Sequence, residues 1–358
     1  MLRVRHFPRL VRVLAALGLA FITSGARALP LGLPLDVHPE NEAPPGLVEL
    51  GRQLFTDKRL SLDGTVSCAT CHIPEGHFTD GLPTARGLHG QSLTRHTPSL
   101  LNVRYATSLF WDGRVNDLAT QVRSPLLAPT EHGLADGRLV GTILSADPHY
   151  TMAFEQLLGV KKAQISLSEA SMAIAAFERS LVAADSSFDR YQYGGDPRAM
   201  SPAAIRGLTL FRGRAQCSSC HSMGDTSALF TDGQFHSSPL QLPTSTLAEL
   251  GALAQRASAL TAKGELDALN ALIETNRDVA ELGRFVVSRD PKDIGKFKTP
   301  SLRNIADTGP YMHDGSVKSL ARAVDLELYS RTEQRFPLVL TEDERTDLLE
   351  FLQALTSR

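Results

Sequence analysis

Two stretches decide how this chain is read: Cys68-Ala69-Thr70-Cys71-His72 and Cys217-Ser218-Ser219-Cys220-His221. Each is a C-x-x-C followed at once by histidine, and together they use all four cysteines of the 358-residue sequence. This is the attachment pattern of a c-type haem. One short helical turn presents both sulfurs to the vinyl groups of a single macrocycle and the adjacent imidazole to its iron. Two disulfides, a redox C-x-x-C and a zinc site are the competing readings. Zinc favours other Cys/His spacings, and a duplicated C-x-x-C-H that leaves no cysteine over fits haem better than any of the three. The expected cofactors are therefore two covalently bound haems c. Cys68, Cys71, Cys217 and Cys220 are the attachment residues, and His72 and His221 are the proximal iron ligands.

Outward from these motifs the sequence repeats itself. Leu50-Gly51-Arg52-Gln53-Leu54-Phe55 precedes the first motif, and Arg206-Gly207-Leu208-Thr209-Leu210-Phe211 precedes the second. Phe-Thr-Asp-Gly follows each, at Phe78 and at Phe230. The spacing predicts a mainly α fold of two cytochrome c-like haem domains with long loops. Their expected spans are 29–195 and 196–358, divided near Gly194-Gly195-Asp196-Pro197. A helix is expected over 47–55. The stretch 56–113, rich in Gly, Pro, Thr and Ser, reads as loops with short helices. Ser166-x-x-Glu169 is a capping box opening a helix with Ile174, Phe177 and Leu181 on its apolar face, expected to run on to the glycine pair. Ser201-Pro202 opens another, with proline in the first turn. Residues 247–282 read as helical, and a helical insertion is expected at about 240–277. Thr341-x-x-Glu344 caps a last helix whose inner side carries Leu348, Phe351 and Leu352.

Composition narrows the function. With 37 basic against 39 acidic residues the net charge is −2, without the basic excess of a nucleic-acid binder. Arg3, Arg5, Arg9 and Arg12, an apolar run over 13–22 and Ala26-Arg27-Ala28 make residues 1–28 a cleavable signal peptide. That run is shorter than the roughly 18 apolar residues a span needs, and no other stretch qualifies. The expected location is the periplasm, with no membrane span after processing.

Further motifs lie between and after the haem signatures: Arg95-His96-Thr97-Pro98-Ser99-Leu100-Leu101-Asn102, Phe110-Trp111-Asp112-Gly113-Arg114, then Gln121, Pro125 and Pro129-Thr130-Glu131-His132. Phe297-Lys298-Thr299-Pro300-Ser301-Leu302-Arg303-Asn304 and Thr308-Gly309-Pro310-Tyr311-Met312-His313-Asp314-Gly315 complete the set. In this order, from about Leu50 to the C-terminus, the chain resembles the bacterial di-haem cytochrome c peroxidases and their relative MauG. The resemblance implies a peroxidatic haem on His72 and an electron-transfer haem on His221. It implies Glu131 as the distal acid, Gln121 as a hydrogen-bond donor to peroxide, Pro125 packed over the same pocket, and Trp111 as an aromatic bridge between the haems. Read without it, Glu131 is a loop acid, Gln121 a helix-surface amide and Trp111 a core tryptophan.

The chain departs from the family at three places. His89 lies near the family's removable distal histidine, one residue closer to Pro98; His77 is the other histidine nearby. The family's methionine ligand to the second haem is missing from Ala323-Val324-Asp325-Leu326-Glu327-Leu328-Tyr329. Direct counting selects Glu327, and a local shift selects Tyr329, preferred because phenolate is a known haem ligand; Met312 and His313 are the fallbacks. The family's interdomain calcium uses an asparagine where this chain has His96, a poor ligand for a hard cation, which argues against calcium here. The resemblance implies a peroxidase that reduces hydrogen peroxide to water with electrons from a small donor protein, a cytochrome c or a cupredoxin. The alternatives are a MauG-like enzyme that oxidises residues of a partner protein and a non-enzymatic two-haem electron carrier.

Overall fold

The computed structural model describes residues 30–35, 42–240, 245–330 and 338–357; the expected signal peptide, 1–28, lies outside them. The main helices are α1 (Pro45–Thr56), α2 (Leu118–Leu127), α3 (Leu167–Arg179), α4 (Pro202–Arg212), α5 (Leu247–Lys263), α6 (Leu266–Thr275), α7 (Leu320–Ser330) and α8 (Glu342–Gln353). The one two-stranded sheet among the described residues pairs Phe235–Ser237 with Lys296–Lys298, antiparallel. The fold is mainly α, as the spacing predicts.

Each half is built on one helix crossing. In the first, α1 lies across α3; in the second, α4 lies across α8. A glycine sits at each crossing. A Cβ on Gly51 would run into the Ala173 carbonyl, and one on Gly207 into that of Asp347, so the backbones meet only because no side chain separates them. Caps set the starts: the side chains of Ser166, Ser201 and Thr341 each accept a backbone N–H of the helix that follows. Phenylalanines fill the space below. Phe55 packs on Phe177 with ring centroids 5.0 Å apart, and Phe211 packs on Phe351 at the same separation.

One expectation is corrected and two helices are added. The capping-box helix stops at Arg179 rather than at the glycine pair, and a separate turn of helix, Ser187–Gln192, precedes Gly194. Arg138–Ser145 and Pro148–Leu158 are additional helices that close the first core through Val140, Leu144 and Phe154.

The segment between the two strands contains the expected insertion at about 240–277 and runs beyond it. It has its own core, including Leu269, Ile273, Val279 and Val286. It docks on the first half: Thr94 donates to the Ile273 carbonyl (2.9 Å), Arg95 to the Ala280 carbonyl (2.7 Å) and Arg114 Nε to Asn270 Oδ1 (2.6 Å).

Candidate active site

The first haem motif is a single helical turn, Cys68–Cys71, held by a reciprocal Ser67/Thr70 cap. The His72 amide bonds back to the Cys68 carbonyl (2.9 Å). The His72 ring meets the Phe78 carbonyl through Nδ1 (3.0 Å), which leaves Nε2 as the atom for a metal. Phe78 supplies that carbonyl by adopting φ +59°. The second motif repeats the device. The His221 amide bonds the Cys217 carbonyl (2.9 Å), and Nδ1 meets the carbonyl of Phe230, itself at φ +54°.

Cys68, Cys71 and His72 open onto a cavity of about 550 Å³, and its walls carry Gln121, Val122, Pro125, Glu131, Trp111 and Glu178. The same cavity extends into the second half past Thr231, Lys298 and Met312. Burial raises the Cys68 thiol well above its usual range and pushes Cys71 up to about 12. Burial lowers the His72 pKa, which leaves the ring neutral, the form that binds a metal. The cavity, the paired sulfurs and the pinned imidazole fit a covalently attached haem. Among the described residues the side chains of Cys220, Asp232 and His236 also lie within 4.8 Å of one another. With the Cys220 sulfur committed to a thioether, two ligands are too few for a separate ion.

Trp111 is fixed at the junction of the halves. Its Nε1 donates to the His96 carbonyl (3.0 Å), and its own carbonyl accepts from the Lys298 amide (2.8 Å). Beside it Asp112 is fully buried between Arg95 (2.6 Å) and Arg114 (2.8 Å). Burial pushes the Asp112 carboxyl up, but the two guanidiniums outweigh that and hold its pKa below the ordinary value. Lys298 donates to the Ser108 carbonyl (2.6 Å), and burial brings its pKa down to about 8.

The sequence-predicted residues divide. Glu131, Gln121, Pro125 and Trp111 converge on one cavity with Cys68, Cys71 and His72. His89 does not reach it. It occupies a tight turn at φ +55°, and its side chain, 76% exposed, faces Asp63 at 3.4 Å. Tyr329 is not brought to it either. At the end of α7 it is 68% exposed, whereas Glu327, two residues earlier, is half-buried. Of the fallbacks, Met312 lines the cavity; His313 is buried, stacked on Phe297 at 3.6 Å and paired with Glu281 at 2.8 Å. His77 faces Asp307 at 3.9 Å. At the calcium position the buried His96 ring lies 2.8 Å from the Leu82 carbonyl and also meets the Thr308 backbone.

Sequence reasoning missed Glu178 and Glu274. Burial pushes Glu178 up to about 8, and its Oε2 has no partner among the described residues. Glu274 reaches the cavity from α6, where it accepts a hydrogen bond from Thr130. Nothing local distinguishes either one from a helix-surface glutamate; only docking of distant helices brings them in.

These features define a class: a protein whose two repeated halves each offer paired cysteines and an oriented histidine to a haem c. The profile of the family described as di-haem cytochrome c peroxidase matches residues 45–197. The chain is 35% identical to the methylamine utilization protein MauG of Methylorubrum extorquens, over 89% of this chain and 80% of that one. It is also 35% identical to the cytochrome-c peroxidase IdrP1 of Denitromonas iodatirespirans, over 92% and 87%. A solved MauG-like protein associated with microbial copper homeostasis is 29% identical, with a TM-score of 0.69, over 92% of this chain and 93% of that one. The chain belongs to the di-haem cytochrome c peroxidase/MauG family. It is a peroxidase-type oxidoreductase with two covalently bound haems c. No described helix is long and apolar enough to cross a membrane.

Proposed function

We propose that the enzyme works in the periplasm and reduces hydrogen peroxide to water at the first haem, H2O2 + 2H⁺ + 2e⁻ → 2H2O. A small cytochrome c or cupredoxin supplies the electrons through the second haem. The observation that carries this reading is the convergence of Glu131 and Gln121 on the cavity that holds Cys68, Cys71 and His72. Cys68, Cys71 and His72, and Cys217, Cys220 and His221, would each hold a haem, and the pair would supply redox-active iron. Glu131 as carboxylate takes the proton of the near peroxide oxygen and returns it to the far one, so the leaving oxygen departs as water. The Gln121 amide donates a hydrogen bond to the bound oxygen, and Pro125 narrows the approach. Trp111, locked at both its indole and its backbone, provides an aromatic path between the halves. Turnover with a reduced donor protein tests the reading. Glu131→Gln is expected to slow it by about 10²–10⁴-fold, the usual worth of general acid–base catalysis, and unchanged turnover would remove this mechanism.

One observation favours a second reading, oxidation of residues on a partner protein: α7 contains no methionine to serve the second haem. A hard oxygen ligand there would lower the second haem's potential and make it a poorer acceptor from ordinary donors. Peroxide added without a donor should then leave a long-lived oxidised spectrum and modified residues on the partner. Rapid decay of the spectrum would exclude it.

A further inference from the structure

The insertion sends one ionisable side chain into the site. Glu274, near the end of α6, lines the same cavity as Glu131, and Thr130 donates to its carboxylate while Glu131 follows Thr130 directly in the chain. The backbone around this loop is tight. A Cβ on Gly87 would run into the Thr130 carbonyl, and the Leu88 amide bonds that carbonyl at 3.0 Å. The loop that carries Glu131 is thus fixed on one side by Gly87-Leu88 and on the other by the insertion. α6 itself is anchored beside the site by Asn270, which accepts from Arg114 (2.6 Å).

We propose that Glu274 is a positioning residue for Glu131, the two carboxyl groups forming a pair at the distal wall in which the charge on one keeps the other protonated. The proposal rests on the peroxidase reading of the first haem. Two carboxyls confined together cannot both ionise at low cost, so they share one proton over a range of pH. Other groups face the pair from the surrounding elements. Arg114 favours ionisation of both acids, and Arg95 favours that of Glu274. Cys71 and Cys68 lie across the cavity and are neutral. The balance leaves Glu131 raised to about 8, first by burial and then by Glu274. Burial also raises Glu274, while Thr130 and the two arginines pull it down. Burial and the neighbouring carboxylate thus both favour the protonated form of Glu131. When Glu131 is the ionised member it can accept the first peroxide proton while Glu274 keeps its own. The insertion thereby sets the pH at which the distal base becomes available.

Infrared difference titration of the purified holoprotein, reading the protonated-carboxyl band lost in Glu131→Gln, measures the Glu131 midpoint directly. Glu274→Gln keeps an oxygen to accept from Thr130 and removes only the charge. It is expected to move the midpoint to lower pH by about one unit, and the rising alkaline limb of peroxide turnover should move with it, so the variant gains relative activity near pH 6. Thr130→Val takes away the bond that favours Glu274 ionisation and should shift the Glu131 midpoint the same way by less. A purely structural Glu274 would lower turnover at every pH and leave the midpoint in place; an unmoved midpoint in both variants overturns the proposal. If the midpoint moves while Glu131→Gln leaves turnover intact, the pair stands and the peroxidase reading fails instead.

Discussion

The first and second halves share a frame down to single hydrogen bonds. The bridge Leu109↔Val115 recurs as Tyr311↔Val317, a shift of 202 residues (109 to 311, 115 to 317). The Thr79 hydroxyl donates to the Thr97 carbonyl (2.8 Å), and Thr231 does the same to Thr299 (2.7 Å). Asn102 and Asn304 both turn the chain with positive φ. What differs is the lining. At the same shift Trp111 becomes His313, Gln121 becomes Ala323 and Pro125 becomes Glu327. Matching the helix crossings pairs Phe177 with Phe351 and so Glu178 with Leu352. Glu274 lines the shared cavity beside Thr130 of the first half. One scaffold, duplicated, carries two different linings when a few side chains on one copy are exchanged for acids and an amide, while the frame around the haem motif is kept.

The most severe way to break this comparison is to remove one attachment pair. Cys68→Ala with Cys71→Ala should abolish peroxide turnover and leave one porphyrin in the intact mass. Cys217→Ala with Cys220→Ala should also leave one, but peroxide should still perturb the spectrum of the remaining haem. Identical behaviour of the two double variants would contradict the division of labour.

The buried ion pair that ties Asp189 to Arg303 of the second half comes next. Arg303 meets Asp189 through both Nη atoms (2.8 and 2.9 Å), and Asp189 is fully buried. At the 202-residue shift the counterpart of Arg303 in the first half is Leu101. Asp189→Asn should cost about 3–5 kcal/mol, as expected when one partner of a buried pair is removed. Calorimetry should show the second-half transition falling while the first holds.

Phe55→Ala and Phe351→Ala probe the shared part. Both rings are completely buried, and each loss should cost about 3–5 kcal/mol. Unequal costs would mean the two cores are less alike than their packing indicates.

The smallest effect is pH-dependent and belongs to the first half alone. Glu178 sits near 8 rather than its ordinary 4.5. The folded protein therefore holds a proton that the unfolded chain releases between those values, and stability drains away as pH rises through this window. Glu178→Leu, which copies the second half, should flatten the decline of melting temperature between pH 5 and pH 9. A parallel decline in both proteins would assign the alkaline loss to other groups.

The sequence by itself determined what is local. C-x-x-C-H fixes attachment chemistry within five residues, Ser166 and Thr341 mark helix starts through their own caps, and the glycines of the two repeats mark the close crossings. Trp111, Gln121 and Glu131 were legible only because they stand in a recognisable order; their composition alone would make them an ordinary tryptophan, amide and acid. The tertiary structure decided everything that depends on distant segments meeting. It turned His89 outward onto Asp63 and left Tyr329 at an exposed helix end. It docked the insertion on the first half, placing Glu274 by Thr130, 144 residues away in the chain. A carboxylate's protonation depends on what surrounds it in space, and no local pattern encodes which helix will arrive there.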